Sequence, residues 1–206
     1  MIVALAGICI LLAAALLYQL VLVPKMTPSS TTASTTSTGK QQTSQQAPQL
    51  TPGQLQSDSS PAVLSERGNR SYDAFISDAN SAMKAQQNGQ DTSALRGKLQ
   101  QDLNDAETAY KQWIAASPND RAGYAHLAWL YVAGGSLLSP SYYQEAIDTG
   151  KKWEASHADG ADVLTAMGRA YLGTGDRATA LDLAKKALVL APDYQEAKQL
   201  LSDLHQ

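Results

Sequence analysis

Residues 161–194 read ADVLTAMGRAYLGTGDRATALDLAKKALVLAPDY, and this stretch decides the fold. Leu164, Met167, Gly168 and Tyr171 recur at the three- and four-residue spacing that puts side chains on one face of a helix. After the break Gly173-Thr174-Gly175-Asp176, a second helical face is written by Ala180, Leu181, Ala184, Ala187 and Leu188. Small residues at 168, 180, 184 and 187 allow two helix backbones to approach closely. Pro192 ends the second run because it has no N–H for the next turn. Two amphipathic helices joined by a short turn cannot bury their apolar faces alone, so the stretch reads as one unit of a stack.

Its length and its order of large, small and proline residues resemble a tetratricopeptide (TPR) repeat, which is 34 residues long. The departure is Ala184, which stands where that repeat carries an aromatic residue late in the second helix. The resemblance implies an all-α solenoid of helical hairpins and a surface that binds another protein or peptide. It does not imply which one.

Upstream, Tyr124, Leu127, Ala128 and Tyr131 repeat the spacing of Leu164, Met167, Gly168 and Tyr171. Gly134-Gly135 is expected to break that helix. A partner starting near Ser139-Pro140 carries Tyr143, Ala146, Ile147, Gly150 and Trp153. Against a standard TPR the turn holds about six extra residues, 136–141, and Ala158 replaces the terminal proline. Before this unit, Tyr72, Phe75, Ile76, Ala79 and Met83 make a helical face ended by Asn88-Gly89. Thr92 or Ser93 is expected to cap the next helix, buried through Leu95, Leu99, Leu103, Ala106, Tyr110, Trp113 and Ile114. Ser117-Pro118-Asn119-Asp120 ends it. After Pro192, the run Tyr194, Ala197, Leu200, Leu201, Leu204 gives a polar-backed helix able to close the last apolar face of an array. The expected domain is therefore residues 69–206, with hairpins at about 70–120, 121–160 and 161–194 and a cap at 195–206.

The N-terminal third has a different composition. Residues 1–23 hold no charged side chain, and about 20 apolar residues in a helix cross a bilayer core of roughly 30 Å. Pro24 and Lys25 close the run. A cleaved signal peptide fits less well, because no basic segment precedes the run and no small-x-small site follows it. A lipoprotein site fits poorly with Ile8 before Cys9, so Cys9 is read as an ordinary residue of the anchor. Residues 1–24 are therefore expected to be a single transmembrane anchor, contacting the membrane through residues 2–23. The expected setting is a bacterial plasma membrane. Lys25 and Lys40 follow the anchor, so the positive-inside rule favours a cytoplasmic domain, against a Ser/Thr-rich segment of a kind common outside the cytoplasm. Residues 25–68, rich in Ser, Thr, Gln and Pro, lack the large apolar side chains that would offset the entropy of ordering and are expected to be a disordered linker. As a coil of about 40 residues it reaches on the order of 35 Å.

Composition narrows the function classes. A net charge of −3 argues against a nucleic-acid footprint, and a single cysteine excludes an intrachain disulfide. His126, His157 and His205 offer no helical metal pair, so no metal and no cofactor are expected. The Gly-Thr-Gly-Asp turn at 173–176 lacks the Gly-Lys-Ser/Thr and the preceding strand of a phosphate loop. No nucleophile, base or metal set is in register, so the chain is not read as an enzyme.

What remains is binding. By the TPR resemblance, the concave groove would be lined by Ala122, Ala125, His126, Trp129 and Val132 from one first helix and by Asp162, Thr165, Arg169 and Leu172 from the next. Trp129 lies off the face marked by Tyr124, Leu127 and Tyr131, which suits a binding hot spot; packing against the preceding hairpin is the alternative. Arg169 either holds an anion or pairs with Asp162 or Asp176. One TPR subclass grips C-terminal carboxylates with lysine and asparagine; here Ala125, His126, Thr165 and Ala166 stand at those places, which argues against a chaperone-tail adaptor. Trp113 and Trp153 are read as core. The resulting expectation is a membrane-tethered adaptor for a protein or peptide partner. Alternatives are an assembly factor for a membrane or secreted complex, of the cytochrome c maturation, outer-membrane or pilus biogenesis type, and self-association by repeat stacking or through the anchor.

Overall fold

A computed structural model describes residues 59–205. The expected anchor and most of the expected linker lie outside the described residues. Within them the chain is helical hairpins throughout: α1 (Pro61–Gln87), α2 (Ser93–Ala116), α3 (Arg121–Leu137), α4 (Ser141–Glu154), α5 (Ala161–Thr174), α6 (Arg177–Leu190) and α7 (Gln195–Leu204). The helices pair as α1 with α2, α3 with α4 and α5 with α6, and α3, α5 and α7 lie side by side as successive first helices. None of these helices is long and apolar enough to cross a membrane.

The first pair differs from the expected one at its start. The expected linker runs to residue 68, yet α1 begins at Pro61, whose missing N–H costs nothing in a first turn. The reason is Val63 and Leu64, both buried, which extend the apolar row through Gly68 to Phe75 and Ala79. Gly68 is where α1 crosses α2. A Cβ there would overlap Cε1 of Tyr110, whose ring is buried and whose hydroxyl donates to Asn69 Oδ1 at 2.8 Å. The ring has no room to retreat, so Gly68→Ala is expected to lower stability by about 1–3 kcal/mol despite alanine's better helix propensity. Thermal unfolding followed by circular dichroism measures this; a rise in Tm would contradict the extended α1.

The turn into α2 is held by Asp91 rather than by Thr92 or Ser93. Its carboxylate accepts from the Ser93 backbone N–H at 2.9 Å and from the Ser93 hydroxyl at 2.6 Å. At the far end, Asp120 caps α3 by accepting from the Ala122 N–H at 3.1 Å, and its other oxygen accepts from Trp113 Nε1 at 3.0 Å.

Gly134 and Gly135 do not break α3, which continues to Leu137. Both are packing sites. A Cβ on Gly134 would meet Leu103 Cδ1 at 2.7 Å, and one on Gly135 would meet Tyr143 Cδ1 at 2.5 Å. The extra residues of this unit mainly lengthen the helix, to 17 residues against 14 in α5. Pro140 stands at the N-cap of α4, close to the expected start. The proline absent at 158 is replaced by another device: Trp153 Nε1 donates to the Asp159 carbonyl at 2.5 Å and Gly160 turns the chain at φ 144°.

The 161–194 hairpin forms as its sequence requires. Gly175 takes the left-handed conformation that ends α5, at φ 90°. Asp176 caps α6 through the Thr179 N–H at 3.0 Å. Met167 and Ala187 bring the two faces together, in a core shared with Ala125, Trp153, Val163 and Ala197. A second buried cluster joins α1 and α2 to α3 through Leu64, Phe75, Leu103, Tyr110, Leu127 and Tyr131. Trp113 and Trp153 are both buried, as core residues.

Candidate partner-binding face

The face in question is the exposed side of α3 and α5, with α7 beside α5. Regular helical spacing decides which α3 residues reach it. Leu127, Ala128 and Tyr131 turn into the core. Trp129 and Val132 stay partly exposed, and Trp129 packs into neither buried cluster. Val132 leans on the α1–α3 cluster, as does Ala122.

Three expected groove residues are not available. Ala125 is 1% exposed and Thr165 is 0% exposed, with the Thr165 hydroxyl turned back to the Ala161 carbonyl at 2.6 Å. Arg169 is 7% exposed, and its guanidinium forms an ion pair with Asp203 on α7. It pairs with neither Asp162 nor Asp176, and its charge is already neutralised, so the anion-holding role is withdrawn. The close approach that makes this pair possible is set one residue earlier. A Cβ on Gly168 would stand 2.6 Å from Leu200 Cδ2.

His126 also leaves the groove. Its ring lies 5.3 Å from that of Tyr110 and 5.5 Å from that of Trp113, both on α2. Burial holds its imidazole down to about 4, against a smaller opposing pull from Asp120. A neutral ring lying against two aromatic side chains of α2 packs at the helix–helix contact and does not line a groove. The face is thereby reduced to Trp129 and Val132 on α3 and Asp162 and Leu172 on α5. Asp162 is itself engaged, accepting from Arg121 Nε at 3.2 Å. That partly exposed ion pair joins the first turns of α3 and α5.

Tyr194 is a further partly buried aromatic side chain at the C-terminal end of the domain. Immediately before α7, it reads from sequence as part of the cap's apolar row. In the structure it packs against the cluster that includes Ala125 of α3 and Val163 of α5. Burial raises its pKa above the ordinary tyrosine value, with Glu196 and Asp162 adding to the rise while Trp129 and Arg121 oppose it. The Trp129 indole nitrogen is enclosed and makes no hydrogen bond within the protein.

Among the described residues no three His, Cys, Asp or Glu side chains gather as metal ligands would. The 173–176 turn is a helix-to-helix connection with Gly175 and Asp176 in capping roles.

Comparison with known protein families and with curated proteins gives no match. Among solved structures the chain is similar to a thermophilic TPR protein in Thermus thermophilus. The identity is 22%, covering 71% of this chain and 81% of that one, at a TM-score of 0.47. The assignment of a TPR-like helical-hairpin fold rests on the helix pairs described above and on the residue order of 161–194.

Proposed function

We propose that this protein is a membrane-tethered adaptor. In this reading residues 2–23 anchor it, the Ser/Thr/Gln/Pro-rich segment gives it reach, and the face of α3 and α5 receives a segment of a partner protein. The observation that carries the binding role is Trp129. A large aromatic side chain left out of both buried clusters, with an enclosed N–H lacking a good acceptor, is the kind of residue that dominates a protein interface. Val132 on the same helix and Leu172 on α5 are the partly exposed apolar residues of this face.

The test is site-specific photo-crosslinking in cells from position 172, at the edge of the face, with and without Trp129→Ala. The expected result is a discrete crosslinked partner that weakens about tenfold or more in the variant, the scale of a lost hot spot. Identical crosslinking in both would reject the Trp129 face. Arg169 is left intact, because its loss would disturb α7 whatever the face binds. Membrane tethering is tested separately: deleting residues 2–23 is expected to release the protein from the membrane fraction. Reporter fusions at the C-terminus are expected to place the helical domain in the cytoplasm.

A further inference from the structure

We infer that the edge of the domain at which α6 ends is a membrane-surface contact, where Val189 and Leu190 enter an anionic lipid surface among flanking lysines. The inference rests on the tether in the reading above and adds a second, weaker contact with the same bilayer.

Among the described residues, the large apolar side chains left exposed are Val189 and Leu190, at 81% and 46%. Both stand in the last turn of α6, with Ala191 and Pro192 directly after it. Lys185 lies one turn before Val189 and Lys186 one turn before Leu190, so the two pairs share one exposed stripe. Lys186 holds Asp182 at 2.8 Å, whereas Lys185 makes no ion pair among the described residues.

The fold brings more lysines to the same edge. Each hairpin doubles back through a short connection, so first helices start and second helices end on one side of the stack. The Arg121–Asp162 pair at 3.2 Å joins the starts of α3 and α5 there. Trp153, in the last turn of α4, has its ring 5.3 Å from that of Tyr124 in the first turn of α3. That last turn of α4 carries Lys151 and Lys152, both exposed and neither in an ion pair among the described residues. Of the exposed carboxylates that follow in sequence, Asp159 and Asp193 are held by Arg121 and Lys198, which leaves Glu154 as the opposing charge. Asn69, early in α1, accepts from Tyr110, late in α2, at 2.8 Å, so α1 also begins at this edge. The segment that leads to the tether therefore leaves the domain on the side that carries Val189 and the lysines.

Size and charge decide what covers the two apolar side chains. A stable protein–protein interface buries roughly 800 Å² on each partner, and two side chains at one helix end offer a small part of that. A lipid surface needs no such area. It accepts single apolar side chains where lysines around them keep their charged ends at the headgroups. Anionic headgroups complement the unpaired Lys151, Lys152 and Lys185. On a leash that reaches on the order of 35 Å, the edge meets the surface at high local concentration, so a weak contact suffices. Docking end-on leaves the side of α3 and α5 open to a partner.

The experiment uses the full chain with Cys9→Ser and a nitroxide attached at Val189→Cys. The control carries the label at Ala178→Cys, in the first turn of α6 at the opposite edge. Each is added to vesicles of phosphatidylcholine alone or mixed with phosphatidylglycerol, and flotation reports association. On the anionic vesicles the 189 label is expected to become accessible to oxygen and shielded from an aqueous nickel complex, while the 178 label stays in water. Salt at about 1 M, where screening acts within about 3 Å, should return the 189 label to water. Changing Lys151, Lys152 and Lys185 together to Gln should lower its docked-to-undocked ratio on the order of a hundredfold. All five altered positions of the domain are exposed, so no packed side chain is lost. Flotation on both vesicles with the 189 label in water on both overturns the inference and leaves the tether standing. An unchanged ratio in the lysine variant does the same. Flotation on anionic vesicles alone, with the 189 label shielded, keeps the contact and removes the tether. Flotation on neither removes both. A second copy seated on this edge would show as spin–spin broadening between 189 labels on both vesicles, and that also overturns the inference.

Discussion

Replacing Arg169 with alanine is expected to destabilise the folded chain by about 3–5 kcal/mol, the cost of leaving one member of a buried ion pair without the other. The side chains of Arg169 and Asp203 are 6% and 14% exposed, so solvent reaches little of the orphaned carboxylate. Asp203 would retain only the Gln199 amide, which donates to its other oxygen at 2.8 Å. The damage should be local. α7 is fastened by this pair, by Leu200 seated over Gly168, and by Arg177 donating to the Leu204 carbonyl at 2.5 Å. Amide hydrogen exchange should therefore accelerate first across 195–204 and the facing side of α5. Replacing both charges together, as Arg169→Met with Asp203→Leu, is expected to recover most of the loss, because an apolar pair needs no compensating charge. Urea unfolding of the two single variants and the double variant forms the cycle that measures the coupling. A cost below about 1 kcal/mol for Arg169→Ala would mean the pair behaves as an exposed one.

Arg169 also shows where sequence reading stops. Its helix, face and neighbours on α5 follow from local spacing, and all of α5 and α6 can be read that way because the restraints on them lie within a few residues. Its partner lies 34 positions away. Only the packing of α7 across α5 brings Asp203 close, and the nearer candidates Asp162 and Asp176 are occupied by Arg121 and by the N-cap of α6. The same limit explains Gly134-Gly135. In isolation two glycines weaken a helix, but here Leu103 and two tyrosines fill the space left by the missing Cβ atoms, and tertiary packing overrides propensity. The start of α1 is hidden for a compositional reason. Val63 and Leu64 are two apolar residues at the end of a long polar stretch, and their burial depends on the hairpin beneath them. On the candidate face, the partial exposure of Trp129 is legible from its position off the packed stripe.

His126 carries the second large expectation, and it concerns pH. In the unfolded chain an imidazole takes up its proton near 6.5, whereas the folded His126 does so only at about 4. Between those values the unfolded state binds more protons, so stability must rise with pH there and fall on acidification. The contribution is fully present above about 6.5 and is lost progressively as the pH drops toward 4, to a total of at most about 3 kcal/mol at 1.36 kcal/mol per pH unit. The direction is set by burial between Tyr110 and Trp113; the Asp120 carboxylate, which would favour the charged ring, is diverted to Trp113 Nε1 and the Ala122 N–H. Carboxylates titrate over the same acid range. Asp102 is held above its usual value, chiefly by burial and then by Asp78, while Lys98 holds Asp78 below its own. The measurement is therefore a difference: unfolding free energies from pH 4 to 7 for the wild type and for His126→Phe, which keeps a flat ring in the slot and has nothing to protonate. The wild-type curve should fall more steeply below pH 6.5, with the gap between the curves widening toward pH 4. Parallel curves would show that the imidazole accepts its proton in place, and the α2–α3 contact would then have to admit water.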